Sequence, residues 1–159
     1  MRRFVVDHNS IPTSPDNALE ARRKRDVDIL ARTLYGEARG ETVRGKEAVA
    51  CVILNRVNLA KARGGYWWGS SVEQVCLKPW QFSCWNKNDP NRNKILAIEP
   101  GHPVFDTCLR IARRAVSGCL TDLTQGATHY HTERVSPPWS KGRPACAEIG
   151  RHFFYNDVE

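Results

Sequence analysis

Two runs of apolar side chains at helical spacing, separated by one glycine, constrain the first half of this chain more than any other feature. Val27, Leu30, Ala31, Leu34 and Ala38 fall at i, i+3, i+4, i+7 and i+11, the stripe of an amphipathic helix. Gly40 ends or bends that helix. A second helix is predicted from about Thr42 to Ala62, with Val49, Val52, Ile53, Val57 and Ala60 on one face and Gly64-Gly65 as its stop. Helices striped in this way fold only against partners, so the chain has to build a helical core. The longest unbroken apolar run is seven residues, Ala48 to Leu54. A membrane span takes about 20, which predicts that there is none.

Residues 64–103 differ in kind: they are rich in Gly, Pro, Asn and Trp, with one short helix predicted from Ser71 to Leu77. An irregular stretch of that length is more often functional than idle. Pro103 suits the first position of another helix, whose buried face reads Phe105, Cys108, Leu109, Ala112 and Val116, with Gly118 as its end. Ala127–Thr132 and His152–Tyr155 alternate like half-buried strands and predict a small hairpin. Pro137-Pro138 and Gly142–Pro144 rule out a strand between them. The first 15 residues, with Pro12, Ser14 and Pro15, read as an arm.

The net charge of +7 is unevenly spread: residues 1–25 hold six basic and three acidic residues, mainly through Arg22, Arg23, Lys24 and Arg25. Such a balance speaks to partners, nucleic acid or an acidic polymer, or to a solvated helix end, and not to fold. The division predicted is a basic N-terminal arm or extension over 1–25 and a single domain over 26–159. None of the six cysteines forms a Cys-x-x-Cys pair, so neither a zinc ribbon nor a thioredoxin-type site is indicated. Cys51 and Cys108 fall on apolar helix faces and read as small core residues.

Three groups of residues could carry chemistry. Glu37 lies three residues after core-facing Leu34, at the edge of the buried stripe. Burial there raises a carboxyl pKa, and Glu41 one turn on would raise it further if the helix persists. A carboxyl kept protonated near neutral pH suits the general acid of a glycosidase; surface carboxylates paired with Arg32 or Arg39 fit the same spacing. Trp67, Trp68, Trp80 and Trp85, interleaved with Gln81, Ser83 and Asn86, would make either flat platforms for sugar rings or the cover of a small core. His129 and His131 share one face of a strand, and His152 on a neighbouring strand could complete a zinc site. Cleft histidines with ordinary hydrogen bonds fit as well.

Four segments taken together resemble the cell wall hydrolase family of the spore-cortex-lytic enzymes SleB and CwlJ. They are LARTLYGEARGE at 30–41 with GKEAVACVILNRV at 45–57, CLKPWQFSCWN at 76–86, GATHYHT at 126–132, and the closing IGRHFFY at 149–155. The resemblance spans about residues 27–155. It implies an α+β fold, a mostly helical lysozyme-like (lytic transglycosylase-like) domain with a small antiparallel β-hairpin, acting on peptidoglycan. It implies that Glu37, the first Glu of the GEARGE run, protonates the bond between N-acetylmuramic acid and N-acetylglucosamine. The same group then serves as base while the muramic C6 hydroxyl closes a 1,6-anhydro ring. That chemistry needs neither metal nor cofactor, nor a second carboxylate across the cleft.

By the same match Gln81, Phe82 and Ser83 would line the sugar cleft beside Trp80, with Thr128, His129 and Tyr130 as the facing wall. Glu41, placed with these substrate-binding residues, would anchor or tune Glu37. The expected partner is bacterial peptidoglycan, with no nucleic acid and a monomeric enzyme. Phe4-Val5-Val6 is too short for the apolar core of a secretory leader. With no separate wall-binding module in view, this predicts cytoplasmic synthesis without a signal peptide, and action on the wall after assisted release. It fits a stand-alone, endolysin-like lysis enzyme of a phage or prophage. The basic first 25 residues then become a candidate for adhesion to an anionic wall. Two rival readings stand beside this one: a zinc-dependent amidase or peptidase using His129, His131 and His152, and a basic nucleic-acid-binding protein.

Overall fold

The computed structural model describes residues 14–158. The arm expected over the first 15 residues therefore lies almost entirely outside the described residues. The first stripe becomes α1 (Pro15–Ala38), capped by Ser14, whose hydroxyl accepts the Asn17 N–H at 3.2 Å, with Pro15 in the first turn. α1 runs unbroken across position 25. Residues 14–25 are exposed, and burial sets in at Ile29, Leu30, Ala31, Thr33, Leu34 and Ala38. The change in charge along the sequence thus coincides with a change in exposure within one helix.

α2 (Val43–Ala62) starts at its Thr42 cap and stops at Gly64, whose φ of +72° suits glycine after a helix. Its apolar run is buried on two sides. Val49, Ile53, Val57 and Ala60 join the helical core, while Ala48 and Val52 pack with Ala127, Ile149 and Phe154 of the sheet region. That double duty explains why Ala48–Leu54 is apolar all round. α3 (Val72–Leu77) is capped by Ser71, and α5 (Pro103–Val116) buries Phe105, Cys108, Leu109, Ile111, Ala112 and Ala115. Val116 is half-buried, and Ile111 takes the core place expected of it. α1 is the spine of the molecule, packing against α2, α3, the helix at Pro90–Ala97 and most extensively α5.

Two elements differ from expectation. α4 (Pro90–Ala97) forms inside the irregular stretch, capped by Asp89 with Pro90 at its start. Ile95 is its only buried residue, so no apolar stripe announced it. The expected hairpin is a three-stranded antiparallel sheet in the order β1 (His129–Thr132), β3 (His152–Tyr155), β2 (Ala147–Ile149). The prolines exclude a strand up to residue 144, but β2 begins just beyond, and three residues are too few to show alternation. The tight hairpin is therefore β2–β3, turning at Gly150, whose φ is +59°.

All six cysteines are free thiols, and Cys51, Cys76, Cys84 and Cys108 are buried. No helix among the described residues is long and apolar enough to cross a membrane.

One contact fixes how α1 meets the 3-10 turn at Ser83–Trp85. A Cβ on Gly36 would lie 2.7 Å from Cys84 Cβ and 2.8 Å from its sulfur. Alanine normally stabilises a helix interior relative to glycine by about 0.5–1 kcal/mol. Here Gly36→Ala is expected to destabilise by about 1–3 kcal/mol, because the buried turn has to move. Thermal unfolding measures the difference, and an unchanged or raised melting temperature would contradict the packing.

Candidate active site

Glu37 sits in the last turn of α1, where that helix meets β1 and the turn at Ser83–Trp85. The Tyr130 hydroxyl donates to Glu37 Oε2 at 3.3 Å, across 93 positions of sequence. The other oxygen, Oε1, is shielded from solvent and has no hydrogen-bond partner among the described residues. The Glu37 pKa is raised, chiefly by burial; Cys84 and the Tyr130 hydroxyl oppose the shift, and the Asp89 carboxylate adds to it. Tyr130 is pushed well above the ordinary phenol value by its own burial and by Glu37, so it stays a donor.

Glu37 lines a cavity of about 240 Å³ together with Glu41, Thr132, Arg134, Arg151 and His152, among others. Glu41 reaches it by a different route from the one expected. α1 ends at Ala38, and the Glu41 N–H closes a turn onto the Ala38 carbonyl at 2.9 Å. The like charge acting on Glu37 is Asp89, brought in at the start of α4, and not a Glu41 one helical turn on.

The remaining expected site residues divide. Gln81 and Thr128 meet at Arg56, a buried cation of α2. Arg56 Nε donates to the Thr128 carbonyl at 2.7 Å, and Nη1 donates to Gln81 Oε1 at 3.2 Å. The Arg56 guanidinium lies over the rings of Trp68 (5.1 Å) and Phe82 (5.5 Å). Phe82 is therefore part of the helical core, 3% exposed, and not a cleft wall. Burial pulls the Arg56 pKa down to about 10, so it remains charged at neutral pH.

His129 stands on the other face of β1 from Tyr130, edge-on to Trp68 and Trp139, with its Nδ1 2.9 Å from the Thr128 hydroxyl. Burial, with Arg56 and Arg143 nearby, lowers its pKa to about 4. Ser83 is exposed, and Trp80 is 81% exposed on a backbone with φ +69°; among the described residues neither hydrogen-bonds Glu37. The tryptophan group splits the same way. Trp68 is core, Trp85 is half-buried with its Nε1–H on the Thr33 hydroxyl at 2.9 Å, and Trp67 and Trp80 are exposed.

The zinc reading fails on register. Thr132 pairs with His152 and His131 with Phe153, so His152 shares the Tyr130 face while His129 and His131 occupy the other. No group of three or more His, Cys, Asp or Glu among the described residues could hold a metal ion.

Sequence reasoning missed Arg56, Asp89 and the cavity place of His152. Arg56 left a usable signal: it falls between Ile53 and Ala60 on the apolar stripe of α2, where a charge needs a buried reason.

The comparisons with known proteins agree with this architecture. A family model described as Cell Wall Hydrolase matches residues 40–155, a span that starts three residues after Glu37. The chain is 34% identical over 134 residues to the spore cortex-lytic enzyme of Halalkalibacterium halodurans, covering 82% of this chain and 34% of that protein. It is 32% identical over 132 residues to that of Bacillus subtilis, covering 81% and 37%. The chain thus spans about a third of the length of these curated relatives. Among solved structures, it is similar to the catalytic domain of the Bacillus cereus SleB protein (TM-score 0.63, 29% identity, 82% of this chain and 89% of that one). The catalytic domain of the germination-specific lytic transglycosylase SleB from Bacillus anthracis superimposes with the same TM-score of 0.63 at 29% identity, covering 82% and 93%.

Proposed function

Since the chain belongs to the cell wall hydrolase family, we propose that it cleaves the glycan strand of peptidoglycan between N-acetylmuramic acid and N-acetylglucosamine, as a lytic transglycosylase. The observation that carries this is the state of Glu37: a half-buried side chain at a cavity wall, one carboxyl oxygen held by Tyr130 and the other shielded from solvent. A carboxyl in that setting holds its proton at a pH where ordinary carboxylates have lost theirs, which is what a general acid needs.

In the proposed reaction Glu37 gives its proton to the glycosidic oxygen as the bond from that oxygen to the muramoyl C1 breaks. The C6 hydroxyl oxygen then bonds to C1, and its proton passes to the Glu37 carboxylate. Glu37 is thereby reset without water being consumed. The name of the Bacillus anthracis neighbour, a lytic transglycosylase, supports this outcome over hydrolysis.

Mass spectrometry of muropeptides released from purified sacculi tests the reading. The expected products carry 1,6-anhydro ends. Reducing ends, heavier by one water, would replace transglycosylation by hydrolysis. New amino groups without new glycan ends would overturn glycan cleavage itself.

A further inference from the structure

Among the side chains lining the cavity beside Glu37 that the reaction above leaves unused are Glu41 and His152. The structure goes to some length to place the first. Lys46, itself buried, donates from Nζ to the Arg39 carbonyl at 3.2 Å and to the Glu41 carbonyl, pinning the turn that leaves α1. Glycines on two separate elements make room for the side chain. A Cβ on Gly45, in the first turn of α2, would lie 2.9 Å from Glu41 Cβ; one on Gly150, in the β2–β3 turn, would lie 2.5 Å from Glu41 Oε2.

His152 is 2% exposed, and its Nδ1 has no hydrogen-bond partner among the described residues. Edge-on contact with Tyr130, at 4.9 Å between ring centroids, holds the imidazole on the Glu37 side of the sheet. A buried polar group left unpaired costs free energy, and such groups persist where something else completes them. Burial also lowers the His152 pKa despite Glu41 nearby, which keeps the ring neutral and able both to donate and to accept.

We propose that Glu41 and His152 form a hydroxyl-binding station that seats the sugar ring on which Glu37 acts. A carboxylate that accepts and an imidazole that donates and accepts complement an alcohol, which does both. The ligand class is a pyranose carrying free hydroxyls, so the proposal rests on the glycan-cleaving function above. Glu41 is then a substrate-contacting group, and its two glycine neighbours exist to keep it in reach.

The test uses a Glu37→Gln background, so that a soluble tetrasaccharide of alternating N-acetylglucosamine and N-acetylmuramic acid binds without being cut. Adding Glu41→Gln or His152→Phe is expected to weaken its binding about tenfold each, the value of one hydrogen bond to a charged or well-placed polar group. The ring nitrogens of His152 are expected to shift in the NMR spectrum as the tetrasaccharide saturates.

Gly45→Ala supplies a variant outside the station. It should remain folded with a somewhat lowered melting temperature, because the new Cβ would lie 2.9 Å from Glu41 Cβ and the turn leaving α1 has to shift, and it should weaken binding by displacing Glu41. Folded variants that bind within twofold of the background, or a His152 spectrum indifferent to the sugar, would overturn the station. If the Glu37→Gln protein itself binds no tetrasaccharide, or still cleaves sacculi, it is the glycan-cleaving reading that falls, and the station falls with it. Binding that is present but indifferent to Glu41 and His152 overturns the station alone.

Discussion

Replacing Glu37 with glutamine is expected to lower the rate of glycan release from sacculi by about 10³-fold or more, the range general-acid catalysis supplies, while leaving the fold intact. Glutamine keeps the shape of the side chain and can still take the Tyr130 hydrogen bond, but it has no proton to give. Wild-type-like clearing of sacculus suspensions by the variant would end the assignment. The same residue sets two pH dependences. Because the acid form is active and its pKa is raised, kcat/KM should stay high past the ordinary carboxyl range and fall only as pH rises through the raised value.

Stability follows the same equilibrium and in the same direction. Between the ordinary carboxyl pKa and the raised one, the folded state binds more protons than the unfolded state, so stability declines as pH rises through that window. Glutamine does not titrate. The melting temperature of Glu37→Gln should therefore gain on that of the wild type as pH is raised across the window, and then hold its lead. Parallel curves for the two proteins would mean that Glu37 is ionised as easily as any surface carboxylate.

Much of this arrangement was legible in the residues, and the rest was hidden for physical reasons. A period of 3.6 over five apolar positions is hard to mistake, and α1, α2 and α5 followed from it together with Thr42, Pro103 and the Gly64-Gly65 stop. Glu37 was legible as a carboxyl at the edge of a buried stripe, because that statement needs only its own helix. Its companions were not. Asp89 and Cys84 come from a stretch without periodicity, and Tyr130, in a four-residue strand, is indicated only by the family resemblance and by no local pattern. The identity of the charge beside Glu37 was therefore misread as Glu41, since helix spacing alone cannot see where α1 stops. The three histidines show the same limit. Residues 129 and 131 share a face by period, but the face of His152 depends on a register that no local rule fixes. Phe82 fell in a motif expected to line the cleft, yet a neighbour in the chain says nothing about which way a ring in an irregular segment is turned.

Arg56→Ala is expected to be the most destabilising single change near the site, costing about 3 kcal/mol and lowering the melting temperature by about 6–12 °C. Two hydrogen bonds from a charged donor are lost, to the Thr128 carbonyl and to Gln81 Oε1, and both acceptors are left behind in a largely buried setting. A void opens beside Trp68 and Phe82, over whose rings the guanidinium now lies. Lysine should not rescue it, because a point ammonium cannot serve two acceptors in a plane while stacking on two rings. Methionine should fill the void but leave the acceptors unpaired, and so recover only part of the loss.

The consequence reaches the catalytic group. Thr128 enters the sheet through its N–H to the Tyr155 carbonyl at 3.0 Å, two residues before Tyr130. Arg56 thus ties α2 to the strand that carries the donor to Glu37, and to Gln81 on the opposite segment. Arg56→Lys should accordingly lose activity at temperatures where it remains folded, with kcat reduced more than KM is raised. Chemical denaturation and kinetics on the same preparations decide this: a lysine variant as stable and as active as the wild type would show that the cation fills space without holding the two sides together.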